Sequence, residues 1–271
     1  MICFPNAKIN LGLKITGKRD DGFHNIETIL YPFGLCDALE IIVAPDKKFQ
    51  FQSSGLNIPG DPVKNLCVKA YKILALQFNL AAIKIYLHKK IPIGAGLGGG
   101  SSDAAHTIIL LNKLFKLGLN PDEMKDHARQ LGSDCAFFIE NKPSYAYNKG
   151  DHFTPLELNL KGLHIAIIKP SFNISTKEAY SGIRLLSDDT DIKQTMRQPL
   201  SAWKTDLQND FELSVFEKYP EIVIIKDKLY DHGAVYASMS GSGSAVFGIF
   251  RNKPVFENLS PEYFYWEGIL Q

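Results

Sequence analysis

Cysteine is scarce in this chain and never paired. The four present, Cys3, Cys36, Cys67 and Cys135, lie far apart and form no CxxC, which argues against a zinc site and against a disulfide framework. They read as small buried hydrophobes. An excess of one charge sign is missing as well: 30 Lys and Arg face 29 Asp and Glu, a formal net charge of +1. Nucleic-acid binders usually show a clear basic excess or patch, so DNA and RNA are not expected partners. No apolar run approaches the roughly 18 residues of a membrane span. The start, MICFPNAKINLGLK, shows no basic region followed by an apolar core and a cleavage site, so the expected location is the cytoplasm, with no membrane partner. The seven histidines show no HExxH or comparable spacing, and no metal site built from protein ligands alone is expected.

What remains is a globular composition, 45% hydrophobic and 22% charged. At 271 residues the chain exceeds what one ordinary core accommodates, so two domains are expected. From Ala7 the chain alternates: Ala7, Ile9, Leu11, Leu13 and Ile15 are apolar or small, with Lys8, Asn10, Gly12, Lys14 and Thr16 between them. That period predicts a half-buried strand with Lys8 and Asn10 on one face. Strands are also expected near Ile26 to Phe33, at DALEIIVA, AIKIYLHKKIPI, LHIAIIKP, AVYASM, SAVFGIF and YFYWEGIL. Helical spacing marks NLCVKAYKILALQFN, the run after Ser102 up to Gly118, a helix opened by Asn120 and Pro121, one with a capping box at Ser175 and Glu178, and one from Pro220 to Gly233. The polar, turn-rich segment 148–162 is the expected linker, giving domains 1–155 and 156–271.

The densest feature is PIGAGLGGGSSDAAHTIILLN, residues 92–112, which puts Gly94, Gly96, Gly98, Gly99 and Gly100 ahead of a serine pair and an apolar run. Strand, glycine loop and helix make a phosphate cradle, since backbone N–H groups can approach an anion and the helix N-terminus adds a favourable field. A Walker loop needs a lysine after its last glycine, and none is there. Gly94, Gly96 and Gly99 satisfy GxGxxG, but no second strand ending in an acidic residue follows. HRD, DFG and GxSxG are all absent.

PNAKINLGLKITGKRDDGFH near the start, PIGAGLGGGSSDAA in the middle and MSGSGSAVF near the end occur in that order. The set resembles the kinases of the galactokinase, homoserine kinase, mevalonate kinase and phosphomevalonate kinase (GHMP) superfamily, over about residues 5 to 250. The GKRDDGFH turn and LGSDCAFF, residues 131–138, narrow the likeness to a branch whose acceptor is a cytidine diphosphate-linked polyol of isoprenoid precursor synthesis. The resemblance implies an α+β, two-domain architecture, an N-terminal domain like domain 2 of ribosomal protein S5 and a C-terminal ferredoxin-like α/β domain. It also implies ATP as phosphoryl donor, Mg²⁺ delivered with ATP, and a monomer or weak homodimer. Sibling kinases of homoserine, mevalonate or a sugar, and a noncatalytic S5-like nucleic-acid binder, stay open as rivals.

By the same resemblance Lys8 and Asp134 are the catalytic pair, Asp134 accepting or orienting the hydroxyl proton and Lys8 offsetting developing charge. Taken alone, Lys8 would be a solvated strand lysine and Asp134 a helix cap. The loop of Pro92, Ile93, Gly94, Ala95, Gly96, Leu97, Gly98, Gly99, Gly100, Ser101 and Ser102 is assigned to the ATP phosphates, with the two serines at the helix start donating hydroxyls or approaching Mg²⁺. Asn65 matches a position near the adenine, and Gly241, Ser242 and Gly243 a loop facing the phosphates. Asn10, Phe23 and His24 match the cytidine end, with Thr176 and Tyr180 closing that pocket. Many relatives in the resembling family carry tyrosine where this chain has Phe23, a change that keeps a stacking face and loses a phenol hydrogen bond. His24 as a turn residue and Tyr180 as a core aromatic are the competing readings.

Overall fold

Amphipathic periods become strands and helices here much as their spacing dictates, in a computed structural model that describes residues 1–183 and 191–271. The strands are β1 Ile2–Cys3, β2 Asn6–Lys18, β3 His24–Cys36, β4 Ala38–Val43, β5 Gln50–Gly55, β6 Ile83–Lys89, β7 Ser144–Tyr147, β8 His152–Pro155, β9 His164–Lys169, β10 Tyr236–Met239, β11 Val246–Phe250 and β12 Phe264–Ile269. The helices are α1 Leu66–Phe78, α2 Gly99–Phe115, α3 Pro121–Arg129, α4 Phe137–Glu140, α5 Thr176–Ser181, α6 Ile192–Thr195, α7 Trp203–Asp206, α8 Phe211–Lys218 and α9 Pro220–Asp231. Strands pair as β1-β4-β6-β5, β2-β3-β7-β8 and β10-β11-β9-β12. Among the described residues no helix is long and apolar enough to cross a membrane.

The chain divides into two compact units, each discontinuous in sequence. The first comprises Met1–Ala7, Leu35–Ile93 and Gly98–Lys142. In it β4 runs antiparallel to β6, from Ala38 opposite His88 to Val43 opposite Ile83, while β5 lies parallel to β6. Leu39 and Ile41 on β4 and Ile83, Ile85 and Leu87 on β6 are buried at alternate positions, one face of the sheet. Helix α2, buried along Ala104, Ala105, Ile108 and Leu111, packs on α1, α3 and β4. Asn120 supplies a full capping box for α3, its Oδ1 accepting from the N–H groups of Asp122 and Glu123.

The second unit comprises Lys8–Gly34, Gly94–Leu97 and Pro143–Gln271. Its antiparallel sheet places Val246 opposite Ile168 and Met239 opposite Val246. Ile222, Ile225 and Leu229 of α9 and Phe211 and Val215 of α8 join Ala237, Met239, Val246 and Phe250 in one core. The expected linker, residues 148–162, lies inside this unit and contains β8, paired with β7 from Ser144 opposite Pro155 to Tyr147 opposite His152. Exposure of its side chains hid the strand, because the ladder needs only backbone groups.

Three expectations change. β2 is not half-buried: Ala7 to Leu13 is buried throughout, with Lys8 3% and Asn10 4% exposed. Its polar face meets backbone and polar side chains instead of water. Helix α2 starts at Gly99, two residues before Ser101, and ends at Phe115 with Lys116 in the left-handed conformation, ahead of Gly118. At α5 only half of the capping box forms. Ser175 Oγ accepts from Glu178 N at 3.1 Å, but the Glu178 carboxylate is taken by the Lys218 ammonium and by the Tyr219 hydroxyl, the latter at 2.7 Å.

Candidate active site

In the second unit the three motifs come together at one oxygen. Lys8 Nζ donates to the Gly96 carbonyl at 2.9 Å and to Asn10 Oδ1 at 2.6 Å. Ser240 Oγ donates to the same Gly96 carbonyl at 2.9 Å and approaches Asn10 Oδ1 at 3.4 Å. Asn10 is fixed in turn by its Nδ2, which donates to Thr28 Oγ1 at 3.1 Å. Backbone bonds brace the arrangement: Lys8 N donates to Leu97 O at 3.0 Å and Ala245 N to Ala95 O at 3.2 Å. An ammonium buried to this degree retains its charge cost unless polar groups surround it, and these two oxygens are among the groups that do so and help set its direction.

The glycines explain how backbone reaches so close. Gly96 has φ +75°, and a Cβ there would overlap the Ser240 carbonyl oxygen; a Cβ on Gly241 would come within 3.2 Å of Asn10 Oδ1. Ala95 is buried, and Gly94 lies beside the Asn173 side chain. Ser242 Oγ and Thr176 Oγ1, at the first position of α5, are 3.5 Å apart, and Gly243 has φ +88°. His24 and Tyr180 stack on each other at 4.5 Å with an interplanar angle of 16°, and Tyr180 sets its ring edge-on to Phe211 at 4.8 Å. Phe23 is 57% exposed, on a turn fastened by Arg19 N to Phe23 O at 2.9 Å, and the Lys149 ammonium lies 4.9 Å over its ring.

In the first unit, Pro92 and Ile93 lead to the glycine run and Gly98, with φ +71°, precedes α2 without any side-chain cap. The first intrahelical bond is Ser102 N to Gly98 O at 2.9 Å. The N–H groups of Gly99, Gly100 and Ser101 therefore stand at the uncapped positive end of a 17-residue helix, the arrangement that suits an anion. Gly99 is buried, with no room for a Cβ beside Ile91, whereas Gly100 is exposed with Leu66 Cδ1 nearest at 3.9 Å. Ser101 is half-buried; Ser102 is fully buried, its Oγ 3.4 Å from His106 Nδ1. Asp134 is half-buried in the 3-10 turn Ser133–Cys135 after Gly132. Asn65 caps α1, its Oδ1 accepting from Cys67 N at 2.9 Å.

Two groups of residues were not foreseen. At the stems of the glycine run, Lys89 Nζ bridges the carboxylates of Asp37 and Asp103, the latter at 2.7 Å, while Asp37 Oδ1 accepts from Lys90 N at 2.6 Å and Ile91 N at 2.8 Å. Burial pushes the Asp103 carboxyl up to about 7, Lys89 pulling it down and Asp37 adding to the rise. Burial alone would lower Lys89, but the two carboxylates hold it above its ordinary value. Asp103 stands five residues into α2 and Asp37 beside a strand, so no sequence spacing relates them. The other group, Asn209 and Ser240, is equally remote in sequence; only the MSGSG run pointed to Ser240. Among the described residues no cluster of three or more His, Cys, Asp or Glu is placed to hold a metal.

Residues 65–142 match the sequence model of the GHMP kinases N terminal domain and residues 191–262 that of the GHMP kinases C terminal domain. A 4-diphosphocytidyl-2-C-methyl-D-erythritol kinase of Cytophaga hutchinsonii is 56% identical over 94% of either chain. One of Parabacteroides distasonis is 47% identical over 100% of both. Among solved structures, a 4-(cytidine 5'-diphospho)-2C-methyl-D-erythritol kinase superposes with a TM-score of 0.80 at 29% identity, covering 92% of this chain and 90% of that one. The mevalonate kinase of Methanococcus jannaschii, at 16% identity, 92% and 90% coverage and a TM-score of 0.69, shares the fold.

Proposed function

The chain belongs to the GHMP kinase family, and from that premise we propose that it transfers the γ-phosphoryl group of ATP to the 2-hydroxyl of 4-diphosphocytidyl-2-C-methyl-D-erythritol, in the non-mevalonate route to isoprenoid precursors. It is an ATP-dependent small-molecule kinase. The observation that carries the reading beyond likeness is the meeting of three distant sequence motifs at the Gly96 carbonyl, around a buried lysine aimed by two neutral oxygens.

Phosphoryl transfer depends on alignment and charge stabilisation more than on covalent chemistry. The acceptor oxygen attacks the γ-phosphorus, the bond to the β–γ bridging oxygen breaks, ADP departs and the hydroxyl proton leaves the acceptor. Asp134 takes or orients that proton, and the Lys8 ammonium stabilises charge on the moving phosphoryl group. The N–H groups at the start of α2, with Gly94 to Leu97, hold the triphosphate, and Asn65 lies toward the adenine. Gly241, Ser242 and Gly243 line the phosphate side. Asn10, Phe23, His24, Thr176 and Tyr180 recognise the cytidine end, the exposed Phe23 ring, which carries the Lys149 ammonium over one face, offering a stacking surface. Magnesium ion neutralises phosphate charge when it arrives with ATP. The donors fit such a shared ion: Ser101 keeps a half-buried hydroxyl at the helix start, while Ser102 is turned into the interior. Along the sequence we divide the functional domains into residues 1–155 and 156–271, a cut supported by family matches that end at 142 and resume at 191, while residues 8–34 belong to the same compact unit as the C-terminal part. We place the enzyme in the cytoplasm as a monomer or weak homodimer with no nucleic-acid or membrane partner; the net charge of +1 supports the lack of a nucleic-acid partner.

A coupled ADP-release assay over the cytidine compound, homoserine, mevalonate and sugars tests the proposal. Turnover of the cytidine compound alone is expected, and turnover of another alcohol without it overturns the assignment. Asp134→Asn and Lys8→Ala are expected to lower kcat by about a hundredfold or more while ATP affinity stays within about threefold. An unchanged kcat in either removes that residue from the mechanism.

A further inference from the structure

Asn209 lies outside all three motifs, between α7 and α8, and is 2% exposed. Its Nδ2 donates to the carbonyls of Met239 at 2.8 Å and Gly241 at 2.9 Å, and its Oδ1 accepts from Phe211 N at 3.1 Å. Both amide hydrogens and the carbonyl are thus in use. The segment is tied to β2 on either side of Asn209: Leu13 N donates to Gln208 O and Asp210 N to Leu13 O, each at 2.9 Å, and Ile15 N donates to Asp210 Oδ2 at 2.6 Å. Glu212, three residues on, accepts from Met239 N at 2.8 Å and from Ser238 Oγ at 3.0 Å.

The two carbonyls that Asn209 holds flank a single residue, Ser240. That serine is fully buried, and its hydroxyl meets the same two oxygens, Gly96 O and Asn10 Oδ1, that receive the Lys8 ammonium. We infer that Asn209 is a positioning residue for phosphoryl transfer: it clamps the backbone on both sides of Ser240 and so fixes the acceptors that aim Lys8. The inference rests on the catalytic reading of Lys8. Without the amide, the Gly241 carbonyl loses its Asn209 donor, the Met239 carbonyl keeps only the longer bond from Ser238 Oγ at 3.4 Å, and the backbone at Ser240 is free to shift. A displacement of about 1 Å in a group acting on a transferring phosphoryl can lower turnover by about a hundredfold.

The test compares the parent with Asn209→Ala and Ser240→Ala. kcat and KM for ATP are measured on whichever alcohol the parent phosphorylates, so failure with the cytidine compound counts against the preceding proposal and leaves this readout intact. Rates are normalised to the ATP-binding fraction found by calorimetry, which removes any contribution from unfolded protein. Asn209→Ala is expected to lower kcat at least about tenfold with KM for ATP within about twofold, and Ser240→Ala to lower kcat in the same direction. A binding-competent Asn209→Ala whose kcat stays within about twofold of the parent overturns the inference. Should that variant fail to fold, Ser240→Ala decides by the same criterion.

Discussion

A Cβ on Gly96 would overlap the Ser240 carbonyl oxygen at a φ of +75°, while one on Gly100 would meet nothing nearer than Leu66 Cδ1 at 3.9 Å. The two glycines of one run therefore call for different substitutions. Gly96→Ala is expected to destabilise the protein by about 1–3 kcal/mol and to lower kcat, since the backbone that moves carries an acceptor of Lys8. Gly100→Ala, in the first turn of α2, is expected to stabilise it by about 0.5–1 kcal/mol while raising KM for ATP, because the added methyl stands where a phosphate would lie. Thermal melts and a KM measurement check both, and an unchanged KM in Gly100→Ala would place the phosphates elsewhere. The glycines, Lys8 and Asn10 were legible because each sits in a short quotable run. Asn209 was not, since its partners are carbonyls thirty and more residues away and nothing about a polar loop residue marks which backbone it serves. His24 and Tyr180 were legible as aromatics, but their stacking on each other was not.

At the scale of elements, the buried Lys89 ties the end of β6 to α2 through Asp103 and to the residue ahead of β4 through Asp37. Among the described residues Asp103 Oδ1 has no hydrogen-bond partner, so burial costs that carboxylate its solvation without full replacement. Its folded pKa of about 7 exceeds the ordinary 3.8, so its contribution to stability is full below about pH 4 and is lost as pH rises toward 7. Asp103→Asn is expected to flatten the dependence of the melting temperature on pH across that window, and an unchanged slope would assign the titration to another group. Removing the ammonium by Lys89→Met should cost about 3–5 kcal/mol, because two buried carboxylates would be left facing each other. Strongly periodic elements such as β4, β6, β9, α1 and α9 were readable from spacing. β5 and α8 were not. β5, QFQSSG, is mostly exposed and held by its parallel ladder to β6, and α8 follows a loop whose fixed points are hydrogen bonds to β2. β2 misled in another way: polar alternation signalled a face turned to water, but that face is packed against backbone.

For the whole molecule, binding of ATP to the folded state alone should raise its stability by about 2.7 kcal/mol at a nucleotide concentration one hundred times Kd. Lys8→Ala is expected to keep that thermal shift while losing turnover, which separates holding the nucleotide from reacting it; loss of both would mean that the lysine is part of the ATP grip. The two-unit division was only partly legible, since each unit gathers pieces separated in sequence and composition changes nowhere sharply. The free cysteines carry one last consequence. Burial raises all four thiols, Cys3 and Cys135 to about 12 and Cys36 and Cys67 also above their ordinary value. Thiolate is the form that reacts, so iodoacetamide should tag the native chain slowly at neutral pH. Adducts on the buried Cys67 and Cys135, followed over time, then serve as a clock for how often the protein opens.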